Sequence, residues 1–156
     1  MEFIEPDLYI IVRHFEKITA DSKPLWGSMN AQQMVEHMSD ALIASQGRIE
    51  LKLMIPEEQL EKAHQFLMSD KPLPRDAKAP YAKSATFRHS EIELAIDELT
   101  EEWMAFEEFF EENPNKTILH PYFGQLNYEE WLVAHAKHIT HHLAQFGVAI
   151  DNDIQD

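Results

Sequence analysis

Apolar positions recur at helical spacing in four long stretches of the chain and one shorter one. The first pattern runs from about Glu5 to Ala20, with Leu8, Ile11, Val12, Phe15 and Ile18 on one side. The stretch DSKPLWGS (21–28) breaks it. A second pattern opens at Asn30, where Asn30 and Gln33 have the spacing of a capping box. Met34, Met38, Ala41, Leu42 and Ser45 form its inner stripe, and Gly47 is placed to end it. RIELKLMI (48–55) reads as an extended connector. Pro56, followed by Glu57 and Glu58, suits the start of the shorter helix, expected to reach about Met68. Residues 69–89 read as a long irregular connection, because Pro72, Pro74 and Pro80 forbid a continuous helix. Ser90 with Glu93 predicts another capping box and a helix to about Asn113, carrying Ile92, Ala95, Ile96, Leu99, Trp103, Phe106 and Phe110. Its acids (EEWMAFEEFFEEN) read as a solvated face. Residues 114–126 read as a structured loop. Asn127 with Glu130 opens a last helix from Tyr128 to about Phe146, which Gly147 can stop. DNDIQD (151–156) reads as a polar, fraying tail. The expectation is an all-α fold: one helix-bundle domain over residues 1–150, with long crossovers and a short extra helix.

Composition narrows the chemistry. The chain has 156 residues, enough to bury roughly 70% of its unfolded surface in one core. It has no cysteine, which removes disulfides, thiolate ligands and a cysteine nucleophile. A metal would have to use His, Asp, Glu or water, and thiol chemistry would need a cosubstrate. The formal charge of −15 argues against a phosphate-backbone partner. No apolar run is long enough to span a bilayer, and the start lacks the basic region of a secretory signal. A cytoplasmic protein with a small-molecule substrate is expected, with no nucleic-acid or membrane partner. A homodimer is compatible with the composition.

HAKHITHH (135–142) concentrates four of the nine histidines. On a helical wheel with His138 at zero, His142 lies at about +40°, His135 at about +60°, Gln145 at about −20° and His141 at about −60°. The apolar residues of that helix cluster between about +80° and +140°. His138 and His142 therefore border the core, one turn apart, as two imidazoles do when they share a metal. The rival reading is a pair of histidines satisfied by hydrogen bonds at the edge of the core. A third ligand must come from elsewhere, and His37 is the best candidate because it borders the apolar face of the second helix. His135 is a candidate general base, and His141 is expected to face outward. His14, His64 and His89 read as surface or loop residues. His120 leads into the last helix and is placed to roof the site.

Two stretches carry a family resemblance. WGSMNAQQMVEH (26–37) and HPYFGQLNYEEWLVAHAKHITHHLAQFG (120–147) resemble the DinB-like superfamily of metal-binding four-helix bundles. The resemblance implies an up-down-down-up bundle holding a divalent ion, often zinc or nickel, on His37, His138 and His142. It matches Gln145 to a glutamine following the histidine pair, and Trp26 and Trp131 to aromatic positions. With His120 these make a candidate substrate pocket. Relatives include bacillithiol- and mycothiol-dependent transferases, so a low-molecular-weight thiol cosubstrate is implied. Leu143 stands where many members carry arginine, which argues against an anion-binding role at that position.

Three functions compete. A metal-dependent hydrolase or thiol S-transferase would leave coordination positions open. A non-catalytic metal-binding or stress-response bundle would close its site with a fourth protein ligand such as Asp40 or Glu36. A metal-free helical scaffold would satisfy its histidines by hydrogen bonds alone.

Overall fold

A computed structural model describes residues 2–75 and 87–154. Residues 76–86, which include Pro80 of the expected irregular connection, lie outside the described residues, as do 155 and 156 of the tail. The described chain is mostly helical: α1 (Leu8–Phe15), α2 (Ala31–Ala44), α3 (Leu60–Leu67, entered through a short 3-10 turn), α4 (Ile92–Glu112) and α5 (Tyr128–Gln145). The extended connector 48–55 forms no regular element.

Local chemistry explains most of the boundaries. At α2 the Asn30 side chain accepts from the backbone N–H of Gln33, and the Gln33 side chain accepts from the Asn30 N–H. Asn127 and Glu130 form the same reciprocal pair at the start of α5. Gly47 and Gly147 follow α2 and α5 with φ of 71° and 75°, the left-handed conformation that ends helices.

Five expectations need correction. α1 is shorter than predicted, because Asp7 accepts from the Ile10 N–H and so fixes a later start. Ile18 lies beyond the helix yet is still buried. The Ser90–Glu93 box does not form: Glu91 occupies the cap position of α4 and makes no side-chain cap bond. Part of the loop 114–126 is an antiparallel hairpin, β1 (Ile118–His120) against β2 (Gly124–Leu126), with His120 opposite Gly124. The tail is held at its base by Asp151 and Asn152. His14 is fully buried, donates from Nδ1 to the Ile10 carbonyl (2.7 Å) and accepts at Nε2 from the Asp151 N–H (2.9 Å). Asn152 accepts from the Glu5 N–H and donates to the Phe3 carbonyl. His14 is thus an interior tie and not a surface residue.

The core runs along the inner faces of α1, α2, α4 and α5. α2 packs chiefly along α4, and the Phe106 ring lies among Phe110, Tyr128 and His135. The segment before α4 is clamped to α2. Buried Glu36 accepts from the N–H groups of Arg88 (2.8 Å) and His89 (3.3 Å), while the Arg88 guanidinium bridges Asp40 (2.8 Å) and Glu98 (2.7 Å). Among the described residues, no helix is long and apolar enough to cross a membrane.

The capping chemistry separates two substitutions. Asn127→Ala should destabilise the protein by about 1 kcal/mol. Ser90→Ala should change stability by less than about 0.5 kcal/mol. Urea unfolding midpoints of both variants check this difference.

Candidate metal centre

His138 and His142 stand one turn apart on α5, and α2 brings His37 to meet them. The Nε2 atoms of His37 and His138 are 2.9 Å apart, and those of His138 and His142 are 3.1 Å apart. One ligand nitrogen from each ring falls within 4.8 Å of the other two. The three rings meet edge to face, with centroids 4.8–5.1 Å apart. His37 and His142 are buried and His138 is half-buried.

Desolvation and one amide set the state of these rings. Burial holds His138 well below the ordinary histidine range, and neighbouring His142 and His37 add to the shift. Burial lowers His142 to about 4, against an opposing bond from Gln145. That bond fixes the tautomer: His142 Nδ1–H donates to Gln145 Oε1 at 2.7 Å, so the Nε2 lone pair faces the cluster. Gln145 in turn donates from Nε2 to the Trp26 carbonyl at 3.0 Å. Gly27 permits this approach, since it sits at φ +79° and a Cβ there would lie 2.9 Å from Gln145 Nε2.

The cluster opens onto a cavity of about 530 Å³. Trp26, His120, Trp131 and Gln145 all line it, so the tentative pocket residues share one space. His135 lines it too, but its chemistry is not that of a base at neutral pH. The Ser45 hydroxyl donates to the Leu42 carbonyl (2.7 Å), so the 3.0 Å contact between Ser45 and His135 is a donation from His135 Nε2–H. Burial, followed by the influence of His120, lowers His135 to about 3. His141 also departs from expectation. It is half-buried, lines the cavity and packs edge-on against Trp26 at 5.7 Å and His142 at 4.9 Å. His64 and His89 lie outside the cavity, against Glu130 and Glu98.

The sequence reading missed Lys137, Arg75 and Tyr122 as cavity residues. Lys137 is buried and donates to the carbonyls of Phe66 (2.8 Å) and Lys71 (2.7 Å), tying α5 to the end of α3. The wheel turns Lys137 and His141 away from the apolar stripe, but α3 and the segment after it cover that flank. The unused signal was the set Phe66, Leu67 and Leu73, whose apolar surface needed a partner.

Fold and site together define a mostly helical protein with a buried three-histidine cluster beside a cavity. Residues 58–148 match the family described as "Protein of unknown function (DUF1569)", and the chain belongs to it. The matched span holds His120, His135, His138 and His142, and His37 lies before it. Comparison with curated proteins and with solved structures finds no match.

Two buried neutral imidazoles make stability pH-dependent. Burial lowers His120 and His135 to about 3, against 6.5 in the unfolded chain. Below pH 6.5 the unfolded state takes up protons that the folded state refuses, so stability falls as pH drops toward 3. By about pH 5 each group should cost about 2 kcal/mol. Unfolding midpoints of the metal-free protein should therefore fall between neutral pH and about pH 5, and a flat profile would contradict the buried neutral state. Gly27→Ala should cost about 1–2 kcal/mol from its left-handed backbone alone, read by the same unfolding measurement.

Proposed function

We propose that this chain is a divalent-metal-dependent enzyme of the DinB-like kind, with His37, His138 and His142 as the ligands. The observation that carries this reading is a three-imidazole cluster facing a cavity, with the nearby acids engaged elsewhere. Glu36 and Asp40 would close the site as fourth ligands, but Glu36 serves the Arg88 and His89 N–H groups and Asp40 pairs with Arg88. An open position beside a pocket suits catalysis, whereas structural zinc sites are closed by four protein ligands. The packing of α1, α2, α4 and α5 around one core supports a four-helix bundle.

The donor set fits a metal. Nitrogens that share a tetrahedral zinc at about 2.0–2.1 Å lie about 3.3 Å apart, close to the 2.9 and 3.1 Å separations here. Gln145 prepares His142 by holding the proton on Nδ1, away from the cluster. Three imidazoles suit zinc or nickel by ligand softness. A bound ion would supply an acidified water or low-molecular-weight thiol as nucleophile. The chain's own part is to fix the ligands, cover them with Trp26 and Trp131, and seat the substrate in the cavity. His135 contributes as a wall held by Ser45, since its shifted state makes it a poor proton acceptor.

Elemental analysis of tag-free protein tests the site. About one zinc or nickel per chain is expected, abolished by His138→Ala and kept by His141→Ala. Gln145→Leu should weaken binding by roughly 10–100-fold. Hydrolytic and thiol-transfer assays on the metal-loaded protein, with and without bacillithiol or glutathione, separate the two chemistries. Stoichiometric metal with no turnover in either assay would move the protein to the non-catalytic metal-binding class. Absence of metal would leave a hydrogen-bonded histidine scaffold.

A further inference from the structure

Among the described residues, none that lines the cavity beside the cluster is a carboxylate, although the chain carries 28 acids and a formal charge of −15. Among the described residues its cations are Lys137 and Arg75, and the rest of its wall is imidazole, aromatic and aliphatic apart from the neutral polar Ser28 and Gln145. Lys137 is occupied by the Phe66 and Lys71 carbonyls. Arg75 is exposed and lies over the Trp26 ring, with its guanidinium carbon 4.1 Å from the ring centroid. Among the described residues no carboxylate pairs with Arg75.

His120 supplies the second observation. Its exposure is 8%, and its ring packs against Phe123 and Trp131 at the cavity wall. The Tyr122 backbone N–H donates to His120 Nδ1 at 3.1 Å. A backbone N–H can only donate, so Nδ1 carries the lone pair, and the neutral ring must carry its proton on Nε2. That Nε2–H makes no hydrogen bond to any described residue. It is a donor of fixed tautomer on the wall of a cavity that no described acid lines.

We propose that the cavity binds a small organic anion with a flat apolar body, and that His120 Nε2–H donates to the anionic group. Arg75 keeps the rim positive, and Trp26, Trp131 and Phe123 take the apolar body. A cavity of about 530 Å³ accommodates a ligand of two or three fused or linked rings. The assignment deepens the enzyme reading by naming the ligand class of the same site. It depends on the cavity and not on the ion, so metal-free protein tests it separately.

The probes are 8-anilinonaphthalene-1-sulfonate and its uncharged analogue N-phenyl-1-naphthylamine, which share a ring system and differ by the sulfonate. Fluorescence titration of the chelator-treated full chain should show one sulfonate site, bound at least about tenfold more tightly than the neutral analogue. His120→Phe should cut that preference about fivefold, with His120→Asn restoring most of it and the neutral probe little affected. Arg75→Gln should cut it by a smaller factor that fades with added salt. Independently of any variant, ring-nitrogen NMR of the wild-type chain should show His120 as the Nε2–H tautomer. Its Nε2–H resonance should move with the sulfonate and stay put with the neutral probe. Equal affinity for the two probes, a preference unmoved by His120→Phe, or a protonated Nδ1 on His120 would each overturn the proposal. Loss of metal binding alone would leave it standing.

Discussion

Desolvation of the imidazoles lining the cavity is the constraint on which the rest of the site depends. A charged imidazole inside this interior would need a carboxylate partner, and no described carboxylate lines the cavity. His120, His135, His138 and His142 are therefore held neutral, each with its value pushed down chiefly by burial. A neutral imidazole has one lone pair and one N–H, so each ring must choose which nitrogen donates. The structure fixes that choice with inexpensive local partners: Gln145 for His142, Ser45 for His135 and the Tyr122 N–H for His120. The outcome differs between rings. His142 turns a lone pair toward its neighbours, while His120 keeps its proton on Nε2.

These choices persist because the surrounding chain is tied down at several points. Gln145 joins the end of α5 to the Trp26 carbonyl, and Gly27 leaves room for that contact. Lys137 fastens the opposite flank of α5 to the carbonyls after α3. Arg88 and Glu36 draw the segment before α4 onto α2 beside His37. The same clamp engages two acids of α2, Glu36 and Asp40, in pairing with the segment before α4.

The parts legible in the sequence were those governed by local rules. The capping boxes at Asn30 and Asn127 depend on residues three apart, and both formed. The meeting of His37 with His138 and His142 followed from each lying at the edge of an apolar stripe. The failures share a different cause. The hairpin strands are three residues long, too short for any alternation to register. The tie between His14 and Asp151 joins positions 137 apart, with no local signature. His141 was misplaced and Lys137 overlooked because one helix's wheel cannot show that a second helix covers its other side. His135 looked like a base from its position, whereas its depth and its bond to Ser45 decide otherwise.

An acidic protein whose described cavity wall carries no acid raises an electrostatic question: how an anion would be tolerated at all. Screening answers it. At physiological ionic strength the field of an exposed charge decays over about 8 Å, so solvated acids on the outer face of α4 contribute little at the cavity. What remains is short-ranged, namely the guanidinium over Trp26 and the N–H groups of the wall. Inside the cavity the medium is less polar than water, so a wall N–H acts more strongly there than it would on the surface, while exposed Arg75 acts at the rim. The overall negative charge therefore governs what approaches the protein from a distance, while a few buried donors govern what stays. The two need not agree in sign, because they operate in different dielectrics and over different ranges.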